Sequence, residues 1–227
     1  MFYLGGWTFL MLVPAILLTV YAQIRVSSTF NKYSQVRSGR GLTGAEGARM
    51  LLDSGGLQSV PIELIEGRLS DNYDPRTRTL RLSRDVGQGA SLASLGVAAH
   101  EAGHAMQHAE GYAPMKLRSL LVPAANLGSN LGYILFLAGL IFLRSPLLMN
   151  IGIAFFSAAV LFTVVTLPVE LDASRRALAL LSEKGILVST EIDGARAVLR
   201  AAALTYLAAA LMAILNLVRM ILLSRNR

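Results

Sequence analysis

No cysteine occurs anywhere in the sequence. That excludes a disulfide framework and every thiolate metal site, so any metal must be held by nitrogen and oxygen. Charge is scarce too: 15% of residues are charged and 54% are hydrophobic, too apolar a balance for an ordinary soluble globule. There is no internal repeat and no low-complexity tract. The 21 basic residues outnumber the 14 acidic ones, a net charge of +7 that in a soluble chain would suggest nucleic acid or an acidic partner. Yet no Lys/Arg stretch is interleaved with aromatics as a base-stacking platform requires, so nucleic acid is not an expected partner. The cations instead flank apolar runs, where they hold membrane helices in orientation.

What is present in quantity is uncharged sequence, gathered in four blocks. Residues 1–24, 119–143 and 145–169 carry no charge, and 201–218 form a fourth apolar run ahead of Arg219. About 20 apolar residues suffice to cross a bilayer. The first block lacks the basic start and small-residue cleavage site of a signal peptide, so an uncleaved anchor is expected. Only Arg144, beside Ser145 and Pro146, separates the second block from the third, which predicts a tight hairpin.

Residues 25–118 read differently, with twelve of the basic residues and nine of the acids. Thr43-Gly44-Ala45-Glu46 predicts a helix start with a capping box, and Gly55-Gly56 its end. Val60, Ile62 and Leu64 alternate as in a half-buried strand, and Leu80 and Leu82 repeat the pattern in Thr79–Ser83. Asn72-Tyr73-Asp74-Pro75 is expected to be the turn between them. A helix from about Ser91 to Glu110 then carries all three histidines. The organisation expected is a first transmembrane helix (1–24), a cytoplasmic α+β region (25–118), a transmembrane hairpin (119–169), a cytoplasmic helical segment (170–200) and a fourth membrane or re-entrant helix (201–223).

The histidines stand at 100, 104 and 108. On a helix, positions i and i+4 project from one face, so His100 and His104 can offer two imidazole nitrogens to one ion. Glu101 in His100-Glu101-Ala102-Gly103-His104 would face the open metal position and serve as general base and acid. Gly103 is unfavourable in a helix by about 1 kcal/mol and points to close backbone packing. A catalytic zinc needs a third protein ligand. His108 lies two turns from His100 and can hardly reach the same ion. Glu110 occupies a place where other HExxH enzymes put a third ligand, but Gln107 stands where the required turning glycine would be. Glu170 and Asp172 emerge at the end of the third apolar block, after Pro168, which can bend the helix end. Two crossings separate them from His104, so they share its membrane side, and Glu170 is favoured.

The segments Thr43-Gly44-Ala45-Glu46, Tyr73-Asp74-Pro75, Leu82-Ser83, Val97 to Ala105, Gln107 to Pro114 and Leu167-Pro168-Val169-Glu170 resemble the YugP-type neutral zinc metallopeptidases, in order and over nearly the whole chain. The resemblance implies a bacterial membrane peptidase with one Zn2+ per chain. In outline it is similar to the HtpX and CAAX-prenyl-protease clan, whose third ligand is a Glu on a later helix, and this implies the same role for Glu170. That clan commonly places an Asp four residues after the Glu to orient a ligand histidine; here that place is Ser174, with Asp172 the nearest acid.

The expected fold is therefore mainly α: about four membrane helices plus a small α+β zincin-like cytoplasmic domain with HExxH on a helix. Arg25, Lys32, Arg37 and Arg40 after the first block, Lys116 and Arg118 before the second, and Arg175 and Arg176 after the third place the site in the cytoplasm of a bacterial inner-membrane protein. Arg219, Arg225 and Arg227 disagree if the fourth block crosses. The Thr79–Ser83 strand, with Leu80 and Leu82, is expected to pair with an extended substrate by strand addition. Tyr73, Arg175 and Arg176 are candidate oxyanion donors. The partners expected are the lipid bilayer, a membrane-associated protein or peptide substrate, and a regulatory membrane partner or second copy. Two rivals remain: a site-2-type intramembrane protease, which would need HExxH within a spanning helix, and a non-catalytic scaffold with a structural zinc, for which Glu101 would have no use.

Overall fold

The structure, a computed structural model, describes residues 2–225, with side chains from Gly6 onward; Met1 of the first expected span and Arg227 of the C-terminal basic group lie outside the described residues. The chain divides into two compact units, one of Met1–Ala22, Ala113–Pro168 and Thr205–Arg227, the other of Gln23–Tyr112 and Val169–Leu204. Four helical stretches are long and apolar enough to cross a membrane: Gly6–Ser34, Ala113–Phe142, Pro146–Glu183 and Ser189–Arg225.

The first unit is helical. Helices α1 (Phe2–Leu10) and α2 (Val13–Ser34) are separated by a turn, because Pro14 lacks the N–H that would bond Leu10. Helix α6 (Ala113–Leu137) ends in a π-helical turn, Ala138–Phe142. Arg144 then takes a left-handed φ of 46°, and the Ser145 N–H bonds Gly139 O at 3.0 Å. This closes the expected hairpin before α7 (Pro146–Glu183). Glycines let α6 and α7 approach backbone to backbone: a Cβ on Gly132 would lie 2.7 Å from Phe156 N and 2.9 Å from Gly152 O.

Helix α7 has 38 residues, about 57 Å at 1.5 Å per residue, against a hydrocarbon core of about 30 Å. It is long enough to cross and continue; the residues from Val169 onward belong to the second unit. Helix α8 (Ser189–Arg225) is one uninterrupted helix of 37 residues. It contains the fourth apolar run, 201–218, and is among the four stretches long and apolar enough to cross a membrane.

In the second unit the Thr43 side chain and the Glu46 carboxylate form the expected capping box at the start of α3 (Gly44–Ser54), and Gly55 caps its end. The sheet departs from expectation. Strand β1 (Ile62–Ile65) is shorter than the alternation suggested, with Val60 buried ahead of it and Leu64 47% exposed. Asn72–Asp74, expected as a turn, is strand β2; it pairs antiparallel with β3 (Thr79–Ser83), and Tyr73 stands opposite Leu80. Tyr73 is buried, and the turn falls after Pro75, where Arg78 takes a left-handed φ of 52°. Strand β1 pairs parallel with the other edge of β3, giving the order β1-β3-β2.

Strand β3 is thus the central strand and both its edges are occupied, so the expectation that it takes up substrate by strand addition fails. Leu80 and Leu82 are fully buried core residues. Short α4 (Arg84–Gly87) leads into α5 (Leu92–Ala109), capped by Ser91 and pinned by the Leu92 N–H to Val36 O and the Ser38 N–H to Ala90 O. Helix α3 packs on α5, where Gly47 admits the Leu95 side chain.

Candidate metal centre

Helix α5 is buried along most of its length, which is unusual for residues as polar as His100, Glu101, His104 and Gln107. Burial of that kind demands partners. They come from the end of α7. A Cβ on Gly103 would lie 2.8 Å from Ala173 O, so only glycine lets the two backbones come this close. The contact brings Glu170 over the histidine face. Glu170 Oε2 stands 3.0 Å from His100 Nε2 and 3.5 Å from His104 Nε2, and one donor atom from each of the three lies within 4.8 Å of the others.

A tetrahedral zinc bound at about 2.0–2.2 Å needs its donors about 3.3–3.6 Å apart. The separation of Glu170 from His104 falls in that range and its separation from His100 lies just below it, and two imidazole nitrogens with one carboxylate oxygen are a donor set zinc accepts. Burial alone would drive the His104 imidazole towards its neutral form. The hydrogen bond to Glu170 and the charges of Glu101 and Glu170 outweigh it, and the pKa is raised.

Glu101 does not join the set. It receives the backbone N–H of Tyr73 at 2.9 Å, so β2, rather than β3, is the strand that reaches Glu101. His108 also lies outside the set; its Nδ1 is 2.9 Å from the Tyr73 hydroxyl. Glu110 is the C-terminal cap of α5 and pairs with Arg176 at 2.6 Å. Asp172 is buried and pairs with Arg176 at 2.6 Å and with Arg175. Both arginines offered as oxyanion donors are thus tied to Asp172. Of the three candidates, Tyr73 is the one hydrogen-bonded to a residue of the HExxH segment.

Two residues with no role assigned from sequence complete the arrangement. Ser174 Oγ lies 3.1 Å from His100 Nδ1, so the serine in the place of the clan's aspartate still contacts a histidine of the set. Gln107, read from sequence only as a missing glycine, is fully buried and contacts His104 Nδ1, Val169 O and Asp172 Oδ2, each at 2.9 Å. Its spacing, three residues after His104 on the same helix, was the available signal.

Fold and site together define a class, a mainly helical chain with four helices long and apolar enough to cross a membrane and a cluster of two histidines and one carboxylate. A family model described as "Putative neutral zinc metallopeptidase" matches residues 8–225, and the chain belongs to that family. It is 45% identical over 214 residues to the "Putative membrane protease YugP" of Bacillus subtilis (strain 168), covering 94% of this chain and 95% of that protein. No solved structure matches the chain.

Proposed function

We propose that this protein is a membrane-embedded zinc metalloendopeptidase in which His100, His104 and Glu170 hold the ion and Glu101 transfers protons. The convergence of two Nε2 atoms and one carboxylate oxygen beside a carboxylate outside the set carries this reading. When bound, zinc supplies an acidified water and a polarised peptide carbonyl. Glu101 takes a proton from the attacking water and delivers it to the amine as the C–N bond breaks. The Tyr73 N–H holds the Glu101 carboxylate in place.

Helix α5 is not among the four apolar helices, which disfavours the intramembrane alternative. A structural zinc would leave the ordered Glu101 without a task. Glu101→Gln should lower peptide cleavage about 10²–10⁴-fold with zinc still bound. Undiminished cleavage, or zinc lost along with it, would refute the role.

The Lys/Arg asymmetry supports a cytoplasmic site in a bacterial inner membrane and a substrate that is a membrane-associated protein or peptide. A regulatory membrane partner or a second copy is part of the same proposal. Cysteines introduced at the exposed Asn72 and Ser182 should be shielded from an impermeant thiol reagent in intact cells, and one at Ser145 labelled. Labelling of the first two alone would reverse the orientation.

A further inference from the structure

Gln107 lies outside the proposed ligand set, yet its amide bridges the helix carrying His104 and the one carrying Glu170. Its Nε2 has two acceptors at 2.9 Å, Val169 O and Asp172 Oδ2, which take both amide hydrogens. The opposite amide orientation would set Oε1 against two other acceptors. Oε1 therefore faces His104 Nδ1, and an oxygen there can only accept. Nδ1 must carry a ring proton, so Nε2, on the Glu170 side, is the nitrogen that can give a lone pair to an ion. We infer that Gln107 is a positioning residue of the metal centre: an amide relay that imposes the His104 tautomer an ion requires and is itself held in orientation by Asp172. The inference rests on His104 and Glu170 being ligands, as proposed above.

The relay has a chemical consequence. Ligand histidines commonly donate to a carboxylate, which raises their basicity. Here His104 meets a neutral amide and His100 a hydroxyl, while the nearest carboxylate beyond the amide is already paired with Arg175 and Arg176. Less negative charge reaches the imidazoles, which leaves a bound ion more electrophilic.

The test uses the full chain in detergent micelles and reads zinc affinity by chelator competition and the visible spectrum of bound cobalt, neither of which needs turnover. Gln107→Met keeps the volume and removes the acceptor; zinc affinity should fall about 10–100-fold. Gln107→Glu keeps an accepting oxygen opposite Nδ1–H and should recover most of that loss. Asp172→Ala, which leaves the amide itself untouched, should weaken zinc in the native background and have no further effect beside Gln107→Met. Native affinity in Gln107→Met, equal losses in the Met and Glu variants, or an additive effect of Asp172→Ala would each overturn the inference. His104→Ala and Glu170→Ala are read in parallel. If they keep native affinity the metal site itself is misassigned, whereas if they lose zinc and Gln107→Met does not, only the relay fails.

Discussion

Gly132 and Gly103 do the same geometric work in different surroundings. In the unit of apolar helices, Gly132 lets α6 approach α7 at Phe156 and Gly152, and the residues around that contact carry no charge. In the other unit Gly103 lets α5 approach α7 at Ala173 just as closely, but His100, His104, Gln107, Glu170 and Asp172 crowd around the crossing. The first contact is needed only for packing. The second sets the distance between two histidines and a carboxylate, where an error of about 1 Å is decisive for a tetrahedral ion. One long helix, α7, contributes residues to both contacts.

The largest effect that would break this comparison is expected at Glu170. Glu170→Ala removes the oxygen donor and leaves two buried histidines without their carboxylate. Zinc should be lost together with activity, while the apolar helices still insert. His108→Ala should keep zinc, because its ring contact is to Tyr73 and not to the set. Zinc content by mass spectrometry of purified protein decides between them. Zinc following His108 instead would confine the site to one helix.

That contrast also shows what was legible in the sequence. The capping box at Thr43, the hairpin at Arg144 and the helix from Ser91 to Glu110 are local signals of spacing and composition, and the structure places each where it was expected. Glu170 lies 66 residues beyond His104, and it was reached through membrane sidedness and family resemblance. The sheet was misread because its order is non-local. Nothing in Thr79–Ser83 says that β1 will pair parallel on one side of it, and a three-residue strand at Asn72–Asp74 next to Pro75 looks like a turn until Tyr73 is seen opposite Leu80. Gln107 and Ser174 were missed because an amide or a hydroxyl gains its role from neighbours on another helix.

A smaller effect sharpens the comparison at the glycines themselves. Gly→Ala in a helix interior gains about 1 kcal/mol of propensity, while forcing a methyl into a closed contact costs about 1–3 kcal/mol. Both positions should therefore lose stability modestly. Gly103→Ala should also weaken zinc binding, since the methyl meets the Ala173 carbonyl and pushes Glu170 away from the histidines. Gly132→Ala should lower thermal stability and leave zinc affinity unchanged. Equal zinc losses would mean that the two contacts are not separable.

The smallest expected effect is a pH dependence confined to the polar unit. In the metal-free protein the raised pKa of His104 means that the folded chain holds a proton which the unfolded chain releases near the ordinary value of about 6.5. That contribution to stability is fully present below about 6.5 and is lost as pH rises through the folded pKa. Zinc competes for the same nitrogen, so its uptake releases the proton and its affinity climbs over the same window. Melting curves of metal-free protein should shift to lower temperature as pH is raised from about 6 to about 8, while those recorded in saturating zinc should not fall over that range. In His104→Ala the metal-free slope should flatten. A metal-free protein that grows more stable over that window would show that the raised histidine pKa does not govern the empty centre, and the arrangement of Glu170 between the two imidazoles would need another cause.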